Sequence, residues 1–357
     1  MRPLSMTAME PDDFFQHWQR SRLANKELKP MGQAGLKQAE LIWRKWLAFC
    51  AAHNDMAWEA AQSGDIARFC QSIGARSSRL KTSPVTQRRY WRVLRDLYAH
   101  ALASGLVALN PAEDAKPPAT ERVPSLALPM NMWVALRDGL PSGNTFKERR
   151  NRLVLLLMMR TALTVAEIVG LTLASVKPCA GSPEEQAALL EYAGLPLLQP
   201  EPALWLPPDA SPAYLLLVRK ARTGAVRALL LDAPTSRALH EWLEVRRMAP
   251  GPVTPQSRLI LGDRTGKAIA PNGLYNICQA HLAHCLRRGG FLAEATPNTV
   301  PDPGGIQHMG PNTLRNTCIA LWFNSGVPLE EIQRRCGFKD ASVMSRLGAH
   351  LASPFPV

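Results

Sequence analysis

Gly310-Pro311-Asn312-Thr313-Leu314-Arg315-Asn316-Thr317 is the stretch on which the fold of this chain turns. Apolar spacing predicts a helix over residues 313–325 and a second over 329–336, with Gly326-Val327-Pro328 as the break between them. A single arginine, Arg315, stands in the first helix, between Asn312 and Asn316. Upstream, residues 288–310 are rich in glycine and proline and read as a loop. No tyrosine follows Tyr275, so none of the later sequence offers a phenol.

Working outward, helices are predicted over 272–287 and 234–247, and before them two apolar runs, 214–220 and 226–232. The short polar turn Arg222-Thr223-Gly224 between these runs marks a hairpin. Residues 178–212 carry many prolines and read as an insertion ahead of the first strand. The run Lys147-Glu148-Arg149-Arg150-Asn151-Arg152 opens onto an apolar helix over 153–163 and another over 165–171, both buried in character. The N-terminal third is helical. Ala39, Ile42, Trp43, Trp46, Phe49 and Cys50 line one face of a helix over 36–53, a second helix covers 65–73, and a third starts at Ser83-Pro84 and runs to about residue 105. Asn110-Pro111 closes this unit, and the Pro-, Ala- and charge-rich residues 115–129 read as a linker. The expectation is two domains, 1–114 and 130–357, since one core rarely grows far beyond about 250 residues.

The chain of 357 residues carries 42 Lys+Arg against 29 Asp+Glu, a formal charge of +13. Such an excess favours a polyanionic partner, because neutralising phosphates releases condensed counterions. The longest apolar run, Leu153 to Met159, is far too short to cross a bilayer, and the first fifteen residues have no apolar core. A cytoplasmic, nucleoid-associated protein is expected, with double-stranded DNA as partner and no membrane. Seven scattered cysteines form no Cys-x-x-Cys or Cys/His cluster, so reduced, buried thiols are expected and neither a metal nor a cofactor. Arg76, Arg79, Lys81, Arg88, Arg89, Arg92 and Arg95 form a run with no acid inside it, a candidate DNA-contacting surface.

Several local patterns occur in a fixed order. Thr161-Ala162-Leu163-Thr164-Val165-Ala166-Glu167 runs on to Leu171. Asn312-Thr313-Leu314-Arg315-Asn316-Thr317 follows much later, then Asn324-Ser325-Gly326-Val327, Ile332-Gln333 and Cys336-Gly337-Phe338. Together with the small helical domain and the hairpin, these resemble the tyrosine recombinase (phage integrase) family across residues 36–347. The resemblance implies a mainly α fold with a small β-sheet (α+β). A helical, SAM-like core-binding domain and a catalytic-type domain would then close as a C-shaped clamp on duplex DNA. The family's first box commonly reads Thr-Gly-Leu-Arg-x-x-Glu, so Glu167 matches while Thr164 stands where arginine is usual. The second commonly reads His-x-Leu-Arg-His-Thr, so Arg315 matches while Asn312 and Asn316 replace histidines. Phe338 replaces the histidine of Leu-Gly-His, and Leu347 stands where the nucleophilic tyrosine is expected. The hairpin lysine is Lys220, with Arg222 as a rival.

In the chemistry implied by the resemblance, a phenolate attacks phosphorus, two arginines hold the non-bridging oxygens, and a lysine protonates the leaving oxygen. Losing one such charge-stabilising donor costs about 3 kcal/mol, and threonine cannot replace a forked guanidinium. The residues that persist grip phosphate. Besides the N-terminal run, Arg149, Arg150, Arg152, Lys220, Arg222, Arg227 and Arg315 would face DNA, and Glu167 would pair with Arg315. The expected function is duplex DNA binding without cleavage, accessory to recombination or integration, alongside active recombinases or further copies of the chain. One alternative is a strand-transfer enzyme active only in a heteromeric complex or with a relocated nucleophile, for which Tyr275, Ser342 and Ser345 are candidates and His308 a substitute histidine. Another is an interaction scaffold that has lost DNA.

Overall fold

A computed structural model describes residues 9–24, 31–53, 56–73, 84–118, 126–179, 213–219, 224–251, 253–291, 309–338, 344 and 347. The chain divides into two compact units, Met1–Arg122 and Val123–Val357.

The first unit is helical: α1 (Pro11–Ala24), α2 (Gln33–Ala52), α3 (Ser63–Ser72), α4 (Pro84–Ala103) and the short α5 (Pro111–Asp114). Its core is aromatic, with Trp18, Trp43, Trp46 and Tyr98 almost wholly buried. Buried indole and phenol groups need partners. The Trp46 Nε1–H donates to the Tyr98 hydroxyl at 3.0 Å, and that hydroxyl donates to the Trp58 carbonyl at 2.6 Å. Asn110 caps α5 by accepting from the Ala112 N–H, and its amide donates to the Arg95 carbonyl, which fixes the Asn-Pro corner against α4. Helix α1 was not foreseen. Its acids and proline mask an apolar stripe, Phe14, Phe15 and Trp18, all buried against this core.

The second unit packs α6 (Met130–Asp138), α7 (Phe146–Thr161), α8 (Val165–Gly170), α9 (Ala233–Arg246), α10 (Pro271–Arg288), α11 (Pro311–Asn324) and α12 (Leu329–Cys336) around one core. A three-stranded antiparallel sheet, β1 (Val176–Cys179), β2 (Ala213–Arg219) and β3 (Val226–Leu230), completes it. The foreseen hairpin is present, with Leu215 opposite Leu230 and Arg219 opposite Val226. Strand β1, by contrast, takes residues from the start of the stretch read as an insertion. It is an edge strand, where Pro178 is tolerated although it cannot donate to a ladder. Nor do all of residues 115–129 behave as a linker. Ala115 is buried in the first core, while Ala127 and Leu128 are buried in the second unit, where the Leu128 N–H donates to the Thr317 hydroxyl at 2.8 Å.

Helix α7 is buried nearly all round from Leu153 to Met159, as a core helix should be. Its exit is strained. Ala162 has φ 49°, the one positive-φ residue other than glycine among those described, and it is fully buried. An alanine in the left-handed region costs about 1–2 kcal/mol, partly offset by the smaller entropy it loses on folding. The methyl is fully buried, and losing it costs about 0.8 kcal/mol, so Ala162→Gly should change stability by less than about 1 kcal/mol in urea melts.

Candidate functional site

The polar centre of the second unit is built from the ends of four elements. Thr164 is the N-cap of α8: its hydroxyl accepts from the Glu167 N–H at 3.3 Å, and Glu167 Oε2 accepts from the Thr164 N–H at 2.9 Å. Thr164 thus has a local task, closing a reciprocal cap. The other oxygen, Glu167 Oε1, accepts from Arg227 Nη1 at 2.6 Å, an ion pair in which both side chains are about nine-tenths buried. Burial pushes the Glu167 carboxyl up. The Arg227 hydrogen bond and charge, with the Thr164 cap, outweigh it and hold the group below its ordinary range.

Arg315, on the second turn of α11, is not the partner of Glu167 that the sequence suggested. Its Nε–H donates to the Ala162 carbonyl at 2.8 Å, and its guanidinium carbon lies 5.0 Å from the Phe338 ring centroid. The strained exit of α7 thus orients Arg315 from one side, and an aromatic face supports it from another. Phe338 follows Gly337, whose φ of 65° ends α12 in a left-handed turn. Arg227 Nε–H donates to the Arg335 carbonyl at 2.8 Å, which ties β3 to that same helix end. Arg334 and Arg335 both pair with Glu331. The Cys336 thiol lies within reach of these charges. Burial pushes it up to about 11, against the lowering influence of Arg315 and Arg227, so it is no thiolate nucleophile.

The other expected site residues fall in different places. Arg149 donates to the Glu241 carbonyl at 3.1 Å, Arg152 pairs with the Glu241 carboxylate at 2.5 Å, and buried Arg150 bonds the Gly262 carbonyl. The basic run at the start of α7 is therefore used to dock α9 and the following loop; the resemblance placed these three guanidiniums among the DNA-facing groups, and here they bond neighbouring elements. Asn312 is exposed, whereas the Asn316 amide donates to the Leu126 carbonyl at 3.2 Å, a packing role. Leu347 is 3% exposed and belongs, with Met344, to the core of the second unit. Tyr275 is 39% exposed on the first turns of α10, and its ring closes on Gly310 so tightly that a Cβ there would lie 2.8 Å away. Lys220, Arg222, His308, Ser342 and Ser345 lie outside the described residues.

In the first unit, Arg89, Arg92 and Arg95 are exposed on α4 and Arg88 is half-buried. Arg95 lies over the Trp91 ring at 4.9 Å, and Trp91 is itself held by donating to the Ala112 carbonyl. Arg76, Arg79 and Lys81 lie outside the described residues. Among the described residues no group of three or more His, Cys, Asp or Glu converges as a metal site, and no helix is long and apolar enough to cross a membrane.

What the sequence reading missed is the place of Arg227. Its signal was available, an arginine in an apolar strand, but the hairpin's inward face was not.

No family model matches the chain, and no curated protein matches it. Solved structures do. The recombinase XerH bound to a palindromic difH substrate, in a post-cleavage complex, superposes with TM-score 0.62 at 14% identity, covering 97% of this chain and 82% of that one. A lambda integrase dimer bound to a COC' core site gives TM-score 0.59 at 13% identity, over 97% of this chain and 79% of that one. The Tn1549 transposon integrase in complex with a circular-intermediate DNA gives 0.54 at 12% identity, over 93% and 94%. The mostly helical build with a small three-stranded antiparallel sheet agrees with them, and the chain has the fold of the tyrosine recombinases and integrases.

Proposed function

We propose that this chain binds duplex DNA through phosphate contacts and does not cut it by itself, serving as an accessory or architectural component in recombination or integration. In this reading residues 1–114 are a DNA-binding domain, 115–129 a connection, and 130–357 a catalytic-type domain that has given up catalysis. The observation that carries it is the division of labour at the site. Arg315 is held in place by the Ala162 carbonyl and Phe338, whereas Thr164 is spent on a helix cap and Leu347 on the core. Arg315, which would hold a phosphate oxygen, persists, whereas the second arginine and the nucleophile are replaced. The exposed arginines of α4 and the net charge of +13 support the same partner. Three of the structures with this fold are a lambda integrase dimer on a core site, a lambda integrase tetramer on a Holliday junction, and a XerH complex on difH. Assembly with active recombinases or with further copies of this chain on DNA, in the cytoplasm, fits the reading.

The test is a suicide duplex, chosen by binding selection on random DNA, with adducts sought on a denaturing gel. No covalent protein-DNA adduct is expected. An adduct would establish strand transfer instead. One observation favours a specific form of that second reading: Tyr275 lies half-exposed against Gly310, at the start of the helix that carries Arg315. Loss of the adduct in Tyr275→Phe would assign the phenol.

Leu347→Tyr should not confer cleavage. The added hydroxyl would enter a position that is 3% exposed, and overpacking of this kind costs about 1–3 kcal/mol. A lower melting temperature and no adduct are expected in the same assay.

A further inference from the structure

We propose that the guanidinium missing at Thr164 is supplied from the sheet by Arg227, which with Arg315 holds a single DNA phosphate. This rests on the DNA-binding reading above and adds a residue to it. Arg227 is the second residue of β3 and points inward, 7% exposed. Its Nε–H and Nη1 are used, on the Arg335 carbonyl and Glu167, but its Nη2 is buried without a hydrogen-bond partner. A strut between β3, α8 and α12 needs only the first two. Leaving a charged nitrogen unpaired away from water is costly, and an oxyanion removes that cost by accepting from it.

The position of Arg227 suits this. Its Nη1 lies 3.0 Å from where a Cβ on Gly337 would sit, and the next residue, Phe338, lies under the Arg315 guanidinium. Two guanidiniums therefore flank consecutive residues of one turn. The charges around them do not balance: Arg227, Arg315, Arg334 and Arg335 face Glu167 and Glu331. Glu331 is shared by Arg334 and Arg335 and Glu167 is taken by Arg227, so Arg315 has no acid among the described residues. A phosphodiester, with one negative charge and two free oxygens, fits the forked donors of two arginines. Nη2 is screened from water, so the proposal requires the contact that covers it to give way when the phosphate oxygen enters.

The test is duplex affinity against salt for the full chain and for Arg227→Gln, Arg315→Gln and Arg227→Lys, each checked for folding by circular dichroism. A cation on phosphate contributes about one unit to the log-log salt slope, whereas a cation used only as an internal strut contributes none. Arg227→Gln and Arg315→Gln should each flatten the slope by about one unit, and Arg227→Lys should restore it. An unchanged slope in folded Arg227→Gln would overturn the inference and leave DNA binding standing. Failure of the unaltered chain to bind any duplex would refute the DNA reading itself, and this inference with it. Should Arg227→Gln not fold, the guanidinium nitrogen resonances of Arg227 in the unaltered protein decide. A shift with slowed proton exchange on adding duplex supports the contact, and unmoved resonances refute it.

Discussion

Glu167→Gln should destabilise the second unit by about 3–5 kcal/mol, the usual cost of removing one partner from a buried ion pair. The size follows from what is left behind. Arg227 would keep its full charge with the side chain about nine-tenths buried, one nitrogen already unpartnered, and no carboxylate to offset its lost hydration. Two further contacts weaken at the same point, because Glu167 also closes the N-terminal cap of α8. Chemical denaturation at neutral pH measures the difference. The sign of its pH dependence is fixed by the direction of the Glu167 shift, downward from an ordinary 4.5. A carboxyl whose folded-state value is depressed contributes stability that is fully present above its unfolded value and is lost as pH falls through the folded one. The gap between Glu167→Gln and the unaltered chain should therefore be widest above about pH 4.5 and should narrow on further acidification. Equal stability at neutral pH would mean that the pair contributes nothing.

Much of this fold was legible in the sequence, for identifiable reasons. Helix α12 was read to the residue because Pro328 and Gly337 punctuate it at both ends, and because Ile332 and Cys336 share its buried stripe. The β2-β3 hairpin was legible from two apolar runs around a polar turn. The misses have physical causes as well. Alternation in Val226-Arg227-Ala228 invites the valine inward and the arginine outward, yet Val226 is 43% exposed and Arg227 is 7% exposed. Only the register of β3 beside α8 shows that Glu167 is there to receive the charge. For the same reason the partner of Glu167 was misassigned: Arg315 and Arg227 are both basic and both near, and the choice depends on the direction of a strand 60 residues away. The resemblance put Arg149, Arg150 and Arg152 among the DNA-facing groups but could not show that carbonyls and Glu241 on neighbouring elements take up their guanidiniums. Leu347 was read as a departure from the family pattern; its burial is visible only in the packed core.

Salt should act on DNA affinity about as strongly as the loss of Glu167 acts on stability. Each phosphate neutralised contributes about −0.9 to the slope of log affinity against log salt. The arginines of α4 with Arg227 and Arg315 make four to six such contacts plausible on chemical grounds, a slope of about −4 to −5. Between 50 and 200 mM salt that amounts to a loss of about 10²–10³-fold in affinity. A protein that kept this fold as a scaffold, with its charges merely solvated, would show neither the affinity nor the dependence. The direct measurement is the dissociation constant of a fluorescent duplex across a salt series with the full chain. Binding through phosphates predicts a steep, linear, negative log-log slope; a slope near zero, or no binding at moderate salt, would contradict it.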